Sequence, residues 1–273
     1  MKTRKVALIT GAAGGLGQAM AHRFYQAGYH LMLADIDQSG LEMVKTELEA
    51  EEESSGEVLT MSGDLSDMRY AEDLVKSCRR KWDRLDVLIN NAIWRTHDTL
   101  RTISEDTWEK TLRIGLTVPA FLTRWAAALM EERAIQGTVV NITSIQANRS
   151  GGTSPAYVAC KGALDSLTYE SAALYGAVGI RVVGVAPGNI QTALSNDFVD
   201  DSGKNISHQF QEYMEDQTAL NRSAAPMEIA NVVFWVTTDQ ASFVNGTIIT
   251  VDGGFSHGFG SNELKNKQNP GQF

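Results

Sequence analysis

Tyr157 and Lys161 are the two residues whose types and spacing best suit proton transfer. They are four residues apart, so on a helix their side chains share one face. A free tyrosine has a pKa of about 10 and is a poor acid or base at neutral pH, but an ammonium beside it stabilises the phenolate. Of the 7 tyrosines, Tyr157 alone has a lysine at this spacing, and Ser144 precedes it at the end of a predicted strand. The three residues indicate acid–base chemistry at a substrate oxygen.

A second group of residues is typical of a nucleotide site. The segment TGAAGGLG, residues 10–17, follows a predicted strand and precedes a predicted helix. Glycines there let the backbone approach a pyrophosphate at the helix N-terminus, although a tight turn alone would also require small residues. The next strand ends at Asp35, whose carboxylate can accept bonds from both hydroxyls of an adenosine ribose. Because Asp35 would repel a 2′-phosphate and Ile36 supplies no cation, the pattern favours NAD over NADP.

Short apolar strands and longer amphipathic helices alternate along the chain and must position these residues. Apolar residues at positions 118, 121, 122, 125 and 129 form one helical stripe. The alternation predicts an α/β fold, Rossmann-like and doubly wound, with a seven-stranded parallel sheet and helices on both faces. The predicted strands are Lys5–Thr10, His30–Asp35, Glu57–Met61, Asp86–Asn90, Thr138–Thr143, Ile180–Ala186 and Gly246–Val251.

No linker or repeat divides the sequence, so we expect one domain over residues 1–255. Within it, residues 190–225 are long, polar and acidic and interrupt the strand–helix alternation. Segments of this length are usually functional lids or carry small helices of their own, and we refer to residues 190–225 as the lid segment. The tail, residues 256–273, is rich in Gly, Ser, Asn and Lys. We expect the tail to fray or to dock on a neighbouring subunit.

The composition excludes several classes of protein. The chain has 273 residues and a formal net charge of −9, which argues against electrostatic binding of nucleic acid or of an anionic membrane. The hydrophobic content of 43% is too high for a disordered chain. The two cysteines, Cys78 and Cys160, form no C-x-x-C pair, so we expect no metal site. Few cysteines, no signal-peptide pattern and no apolar membrane-spanning stretch predict a cytoplasmic protein.

The motifs, in this order, resemble those of the short-chain dehydrogenase/reductase family, in its single-domain branch. The resemblance covers about residues 5–255 and is carried by TGxxxGxG at residues 10–17, Asp35, Asp64-Leu65, Asn90-Asn91-Ala92, Ser144, Tyr157, Lys161, Pro187-Gly188, Thr192 and Asp252-Gly253-Gly254. It implies that Tyr157 transfers a proton, that Lys161 binds the nicotinamide ribose and assists Tyr157, and that Ser144 holds the substrate oxygen.

The resemblance also implies a bound NAD cofactor. Asp64 and Leu65 would flank the adenine, and Asn91 and Ala92 would line the ribose. The segment from Pro187 to Thr192 would face the nicotinamide. The implied cofactor-binding residues are Gly11, Gly14, Gly15, Leu16, Gly17, Asp35, Ile36, Asp64, Leu65, Asn91, Ala92, Tyr157, Lys161, Pro187, Gly188, Ile190 and Thr192.

Two residues depart from the family pattern. The family's Asn-Asn-Ala is usually followed by glycine, whereas Ile93 follows it here. The family often places an asparagine of its proton relay in the long fourth helix, where this chain has Gly115. A glycine within a helix costs about 1 kcal/mol relative to alanine and can mark a kink. We expect the Gly115 carbonyl to hold the relay water near Lys161, so that activity survives.

The residues expected around the substrate form a polar rim with one aromatic side chain. Such a rim is unlike the apolar lining that a steroid or acyl chain prefers, and it favours a sugar, polyol or hydroxy acid. An arginine of the rim, Arg95 or Arg149, could hold an anionic group, although either could also be an ordinary surface residue. The expected substrate residues are Trp94, Arg95, Gln146, Asn148, Arg149 and Gln191.

These inferences predict an NAD(H)-dependent oxidoreductase of carbohydrate metabolism that interconverts a secondary alcohol or hemiacetal and a carbonyl. One alternative is an NADH-dependent carbonyl or enoyl reductase acting on a less polar substrate. Another is an NAD-binding sensor or scaffold that has lost turnover, which the presence of Ser144, Tyr157 and Lys161 disfavours. By resemblance we expect a homotetramer, with a small-molecule substrate and no nucleic-acid or membrane partner.

Overall fold

Parallel strands form one central sheet in a computed structural model that describes residues 4–51, 56–200, 202–258 and 260–272. Within these ranges the strands are β1 (Val6–Thr10), β2 (His30–Asp35), β3 (Val58–Ser62), β4 (Val87–Asn90), β5 (Thr138–Ile142), β6 (Arg181–Pro187) and β7 (Ile248–Val251). Their order in the sheet is β3-β2-β1-β4-β5-β6-β7, and each neighbouring pair is parallel. The predicted Rossmann-like, doubly wound α/β fold is confirmed.

Both faces of the sheet are buried because side chains of each strand alternate between two apolar cores. In β1, Ala7 and Ile9 belong to one core, while Val6 and Leu8 belong to the other. All four side chains are fully buried. This alternation explains why the sequence of β1 is continuously apolar rather than alternating with polar residues.

Helices cover the two faces of the sheet. Over the described residues they are α1 (Gly15–Gln26), α2 (Gln38–Glu49), α3 (Met68–Trp82), α4 (Glu105–Leu112), α5 (Val118–Glu132), α6 (Pro155–Tyr175), α7 (Ser207–Gln217), α8 (Pro226–Val236) and α9 (Asn262–Gln268). Buried residues of α1, α2 and α8 line the first core, and those of α3 and α5 line the second. In the first core the rings of Phe24 and Phe234 meet edge to face, with centroids 5.2 Å apart. None of these described helices combines the length and apolar character needed to cross a membrane.

The ends of the observed strands differ from the predicted ends by no more than two residues. β5 ends at Ile142 rather than at Thr143, and β7 begins at Ile248 rather than at Gly246. Gly246 has a φ of +59°, a left-handed conformation that does not continue a strand. The last residue of a strand depends on a single hydrogen bond. An apolar pattern therefore predicts that a strand is present but not where it ends.

The expected irregularity at Gly115 is a π-helical segment, Arg113–Thr117, between α4 and α5. A Cβ atom at position 115 would lie 2.5 Å from the Cys160 sulfur and 2.5 Å from Cδ1 of Ile93. The Ile93 side chain therefore fills the space beside Gly115 that a larger residue would need. The two departures from the family pattern are neighbours in the structure and are sterically matched.

The lid segment is anchored at its two ends and carries its own helix. Ile190 pairs with Ala224 in an isolated parallel bridge, so the segment leaves and returns at one place. Between these points lie a short 3-10 turn, Ala193–Ser195, and α7. The anchoring explains how a long polar segment remains attached to the sheet edge.

The tail contains a helix rather than a frayed end, and its docking on a neighbouring subunit stays a prediction. Residues 262–268 form α9, and the Asn262 amide donates to the carbonyl oxygens of Asp216 at 2.9 Å and Thr218 at 2.7 Å. These carbonyls lie at the C-terminal end of α7, where helix carbonyls lack partners within the helix. The tail is therefore docked on the lid segment of its own chain.

Candidate active site

The residues that the sequence singled out meet at one edge of the sheet. Thr10, Asp35, Asn90 and Pro187 are the last residues of β1, β2, β4 and β6, and Ser144 follows β5 by two residues. In parallel α/β sheets, this carboxyl edge is where ligands bind, because the loops that follow the strands open there.

Hydrogen bonds tie the turn after β1 to the end of β4. The backbone N–H groups of Asn91 and Ala92 donate to Oγ1 of Thr10 at 3.0 and 3.1 Å. The Asn91 amide donates in return to the carbonyls of Thr10 at 2.9 Å and Gly11 at 3.1 Å. Gly11 has a φ of +66°, and a Cβ there would lie 2.9 Å from the Asn91 amide nitrogen. The turn is thus fixed at a position that only glycine suits.

The start of α1 has the form of a phosphate site. Gly14 caps the helix without a side-chain hydrogen bond, so no described side chain caps the first N–H groups. A Cβ at Gly17 would overlap the Gly11 carbonyl oxygen, and a Cβ at Gly15 would lie 3.2 Å from Cγ2 of Thr192. A backbone exposed in this way, with the positive end of a helix behind it, fits the pyrophosphate of a dinucleotide.

Asp35 is positioned by two backbone donors. Its Oδ2 accepts from the N–H of Ala13 at 3.0 Å, and its Oδ1 accepts from the N–H of Asp37 at 3.1 Å. These bonds fix the carboxylate next to the glycine turn, with lone pairs left for further donors. The neighbouring Ile36 is 72% exposed, so its side chain leaves this part of the edge open.

Asp64 and Leu65, which are expected at the adenine, follow β3, whereas Leu16 and Ile190, two further expected cofactor-binding residues, lie against the first core. Asp64 is exposed and accepts from the N–H of Ser66 at 2.8 Å, whereas Leu65 is buried. The side chains of Leu16 and Ile190 pack on the first core. Leu16 and Ile190 are only partly buried, so part of each residue remains accessible to a cofactor.

At the end of β6 the backbone approaches another strand closely. The N–H of Gly188 donates to the Val251 carbonyl at 2.9 Å. A Cβ at Gly188 would lie 2.8 Å from Cα of Asp252, so a larger residue would push these segments apart. Pro187, just before it, is buried and ends β6. The chain thus enters the lid segment from a fixed point.

Lys161 is held on α6 beside Tyr157. Its ammonium donates to the Ile142 carbonyl at 2.6 Å, and the residue is 3% exposed. The same ammonium lies 5.5 Å from the centroid of the Tyr157 ring. Ser144 is 8% exposed, and its Oγ accepts from the N–H of Gln146 at 3.1 Å. The predicted group of Ser144, Tyr157 and Lys161 thus lies where β5 meets α6.

Asp165 is a titratable residue of this region that the sequence reading missed. It lies one turn beyond Lys161 on α6, is 8% exposed, and has an Oδ1 without a hydrogen-bond partner among the described residues. Burial raises the pKa of this carboxyl, and a hydrogen bond to Thr143 and the Lys161 charge oppose the rise. The sequence contained a sign of this residue, because Asp165 follows Lys161 by four residues, as Lys161 follows Tyr157.

Arg95, one of the expected substrate residues, lies beside Tyr157. Its guanidinium carbon lies 6.0 Å from the Tyr157 ring centroid, and its side chain is 10% exposed. Its Nη2 donates to the Leu194 carbonyl at 2.6 Å and to Oδ1 of Asp197 at 3.1 Å. His97 approaches the same oxygen at 3.0 Å. Arg95 and His97 therefore connect the loop after β4 to the lid segment.

The other expected substrate residues are engaged elsewhere or open to solvent. Arg149 donates to the carbonyls of Phe255 at 2.8 Å and Ser256 at 2.9 Å. The Trp94 ring lies 4.4 Å from the Lys110 ammonium. Gln146 is half-buried, and Asn148 and Gln191 are exposed.

The comparisons with known proteins agree with this geometry. A family profile described as enoyl-(acyl carrier protein) reductase matches residues 11–256. The chain is 31% identical to 3beta-hydroxysteroid dehydrogenase 2 of Eggerthella lenta over 255 residues, which are 92% of this chain and 95% of that protein. It is also 31% identical to meso-2,3-butanediol dehydrogenase of Serratia marcescens over 250 residues, covering 92% of this chain and 94% of the other.

A solved structure extends the likeness to three dimensions. 4-Hydroxyisoleucine dehydrogenase complexed with NADH superposes with a TM-score of 0.82 at 27% identity, covering 94% of this chain and 100% of that one. The profile match and the two curated relatives each span most of the present sequence. The chain therefore belongs to the short-chain dehydrogenase/reductase family, whose members are oxidoreductases that bind nicotinamide cofactors.

Proposed function

We propose that the protein is an NAD(H)-dependent oxidoreductase that interconverts a secondary alcohol or hemiacetal and a carbonyl on a polar small molecule. The observation that carries the proposal is the buried Lys161 ammonium, bonded to the Ile142 carbonyl and 5.5 Å from the Tyr157 ring. A fixed positive charge beside the ring is placed to stabilise the negative charge that develops on the Tyr157 oxygen during proton transfer. A tyrosine in this setting is suited to exchange a proton with a substrate hydroxyl.

Each of the three side chains has a separate task in the proposed reaction. In oxidation, the Tyr157 phenolate accepts the hydroxyl proton of the alcohol, and in reduction the phenol returns a proton to the carbonyl oxygen. The Ser144 hydroxyl, which accepts a bond from Gln146, keeps its own hydrogen free to donate to the substrate oxygen. Lys161 uses one donor on Ile142 and retains two for a ribose hydroxyl. A bound nicotinamide supplies or accepts the hydride.

The surroundings of Asp35 support NAD as the cofactor. Its carboxylate is fixed by the N–H groups of Ala13 and Asp37, so it would stay near an adenosine ribose. A 2′-phosphate at that position would face a negative charge, and Ile36 offers no compensating cation. The ribose of NAD instead presents two hydroxyls that can donate to the carboxylate.

Polar side chains beside Tyr157 support a polar substrate. Arg95 lies 6.0 Å from the Tyr157 ring centroid, and half-buried Gln146 follows Ser144 by two residues. Two of the similar proteins are named for a diol and a hydroxy amino acid, but another is named for a steroid. A less polar carbonyl or enoyl substrate is thus the competing outcome of the test below.

Nicotinamide absorbance tests the proposal while diols, sugars, hydroxy acids and steroids are screened with NAD and NADP. We expect oxidation of a polar alcohol, with kcat/KM at least about tenfold higher for NAD than for NADP. Tyr157→Phe removes only the hydroxyl, so kcat should fall at least about 100-fold while the Kd for NADH stays unchanged. Tyr169→Phe is the matched control, because Tyr169 lies on the same helix and is 49% exposed.

Three results would contradict the proposal. Tight NADH binding without turnover of any alcohol or carbonyl would favour a sensor or scaffold. Preference for NADP would show that Asp35 does not select NAD. Equal losses of kcat in Tyr157→Phe and Tyr169→Phe would show that Tyr157 does not transfer the proton.

We also propose a cytoplasmic homotetramer. Large apolar side chains are exposed on α5 and α6, where Phe121 is 38% and Leu174 is 66% exposed. Near β7, Phe243 is fully exposed. Patches of this kind often mark contacts between subunits. Sedimentation velocity would report four subunits if the proposal is correct and one if it is wrong.

A further inference from the structure

Arg95 is a buried cation whose charge is balanced by the lid segment. Its side chain is 10% exposed, and burying a cation is costly unless an anion or oriented dipoles compensate it. The compensation comes from the Leu194 carbonyl and the Asp197 carboxylate, which accept from the same Nη2 at 2.6 and 3.1 Å. The ion pair joins residues that are 102 positions apart in the chain.

The Arg95 guanidinium makes single contacts with two side chains, because its Nη2 donates to Asp197 and its Nη1 lies 2.7 Å from Nε2 of His97. Arg95 and His97 both approach Oδ1 of Asp197, at 3.1 and 3.0 Å, so a single oxygen receives both contacts. The Asp197 side chain is 42% exposed. An arginine can bind a carboxylate through two parallel N–H···O bonds, which are stronger and more directional. A free carboxylate that takes the places of both Asp197 Oδ1 and the His97 ring could therefore bind Arg95 through two such bonds, where Asp197 makes one.

Arg95 lies close enough to Tyr157 for one small molecule to contact both residues. The guanidinium carbon lies 6.0 Å from the centroid of the ring whose hydroxyl is proposed to exchange the substrate proton. A substrate held on Arg95 by its carboxylate would therefore have to span only a few atoms to reach this ring. Arg149, the other arginine expected at the substrate, is bound to the carbonyls of Phe255 and Ser256 instead.

We infer that Arg95 is a carboxylate receptor and that the substrate is a short hydroxy acid, or its keto acid, whose carboxylate replaces Asp197. The inference rests on the proposed function, because it names the substrate class of the same site. The exchange keeps Arg95 neutralised and frees the Asp197 side chain, while the bond from Arg95 to the Leu194 carbonyl can remain. Recognition of the acid thus involves a contact between the loop after β4 and the lid segment.

Calorimetry separates this inference from the question of turnover. The probes are oxalate, malonate and succinate, each compared with its neutral diamide, titrated into the NADH-saturated protein. We expect at least one dianion to bind at least about 30-fold more tightly than its diamide, as a charge-assisted contact requires. Arg95→Gln should remove this preference. Asp197→Asn should strengthen dianion binding severalfold, because it removes the competing carboxylate and keeps the side-chain shape.

Kinetics then tests the substrate class. For a hydroxy acid and its matched hydroxy amide, Arg95→Gln should lower kcat/KM at least about 30-fold more for the acid than for the amide, chiefly through KM. If the variant affects both substrates equally, Arg95 only fastens the lid segment and the inference is wrong. If no dianion binds, it is also wrong, even where alcohols are oxidised. If dianions bind but no alcohol turns over, the proposed function fails while the receptor remains.

Discussion

The turn at residues 10–17 and the stretch at residues 194–197 lie at the same edge of the sheet but are held differently. In the turn, backbone atoms approach so closely that a Cβ at Gly17 would overlap the Gly11 carbonyl. In the lid stretch, side chains make the contacts, and Arg95 reaches across to Asp197. Backbone contact restricts a position to glycine, whereas an ion pair can be built from many residues at many positions. The first region therefore has a recognisable sequence motif, whereas the second depends on two side chains that are distant in the sequence.

The difference also concerns what each region must recognise. A dinucleotide presents the same pyrophosphate and ribose in every enzyme that uses it, so one backbone arrangement suffices. Substrates vary, and a side-chain contact such as that of Arg95 can change without disturbing the sheet. On this interpretation, substitutions in the turn should affect cofactor binding strongly, and substitutions around the lid segment should affect specificity or stability more moderately.

The largest expected effect is that of Gly17→Ala. The added methyl group would overlap the Gly11 carbonyl, so the turn must open and the Kd for NADH should rise at least about 100-fold. Gly162→Ala is the control outside the turn, because its Cβ would meet the nearest atom, the Ala147 carbonyl oxygen, at 3.7 Å. Its Kd should change less than about threefold. Fluorescence titration with NADH measures both, and equal effects would show that crowding is not what selects glycine here.

An intermediate effect is expected where Ile93 meets Gly115. Gly115→Asn would bring a Cβ to 2.5 Å from both Ile93 and Cys160, so the free energy of unfolding should fall by about 1–3 kcal/mol. Ile93→Ala in the same chain removes one of the two obstructing atoms. Denaturant unfolding of the two single variants and the double variant should give a favourable coupling of at least about 1 kcal/mol. Additive effects would mean that the two residues do not share space.

The smallest expected effect is on the pH dependence of stability, and it compares a buried carboxylate, Asp165, with an exposed one, Asp200. Burial raises the pKa of Asp165 above 3.8, so its charge costs stability that is absent below pH 3.8 and complete above the raised pKa. The stability of Asp165→Asn relative to the parent should therefore rise with pH across this window. Hydrogen bonds from Ser202 and Lys204 lower the pKa of Asp200, so the stability of Asp200→Asn relative to the parent should fall as the pH rises toward 3.8 and stay constant above it. Thermal unfolding from pH 3 to pH 7 measures both, and parallel trends would contradict the assignment.

The sequence predicted well the parts of the molecule that depend on local pattern. Continuous apolar runs located the strands because both faces of a parallel sheet are buried. The spacing of Tyr157 and Lys161 placed both on one face of α6, since the helical repeat determines that relation. Asp35 was identified at the end of β2 for the same reason, because its place follows from one strand and one turn.

What the sequence did not predict are contacts between distant segments. Ile93 and Gly115 were each recognised as unusual, but nothing local shows that one fills the space beside the other. The pairing of Arg95 with Asp197 depends on the path of the lid segment. The docking of Asn262 on the end of α7 likewise depends on how the tail returns to the sheet edge. Such contacts are decided by packing, and single-residue patterns do not record packing.

The carbonyl of Ile142 has a consequence that reaches beyond hydrogen bonding. It holds the Lys161 ammonium at 2.6 Å, and Ser144 stands only two residues further along the same backbone. The Lys161 ammonium and Ser144 are therefore both positioned by the end of β5, the strand between β4 and β6. When that strand moves, Ser144 and the Lys161 ammonium move together. Their relative position should therefore vary less than that of two groups on separate loops.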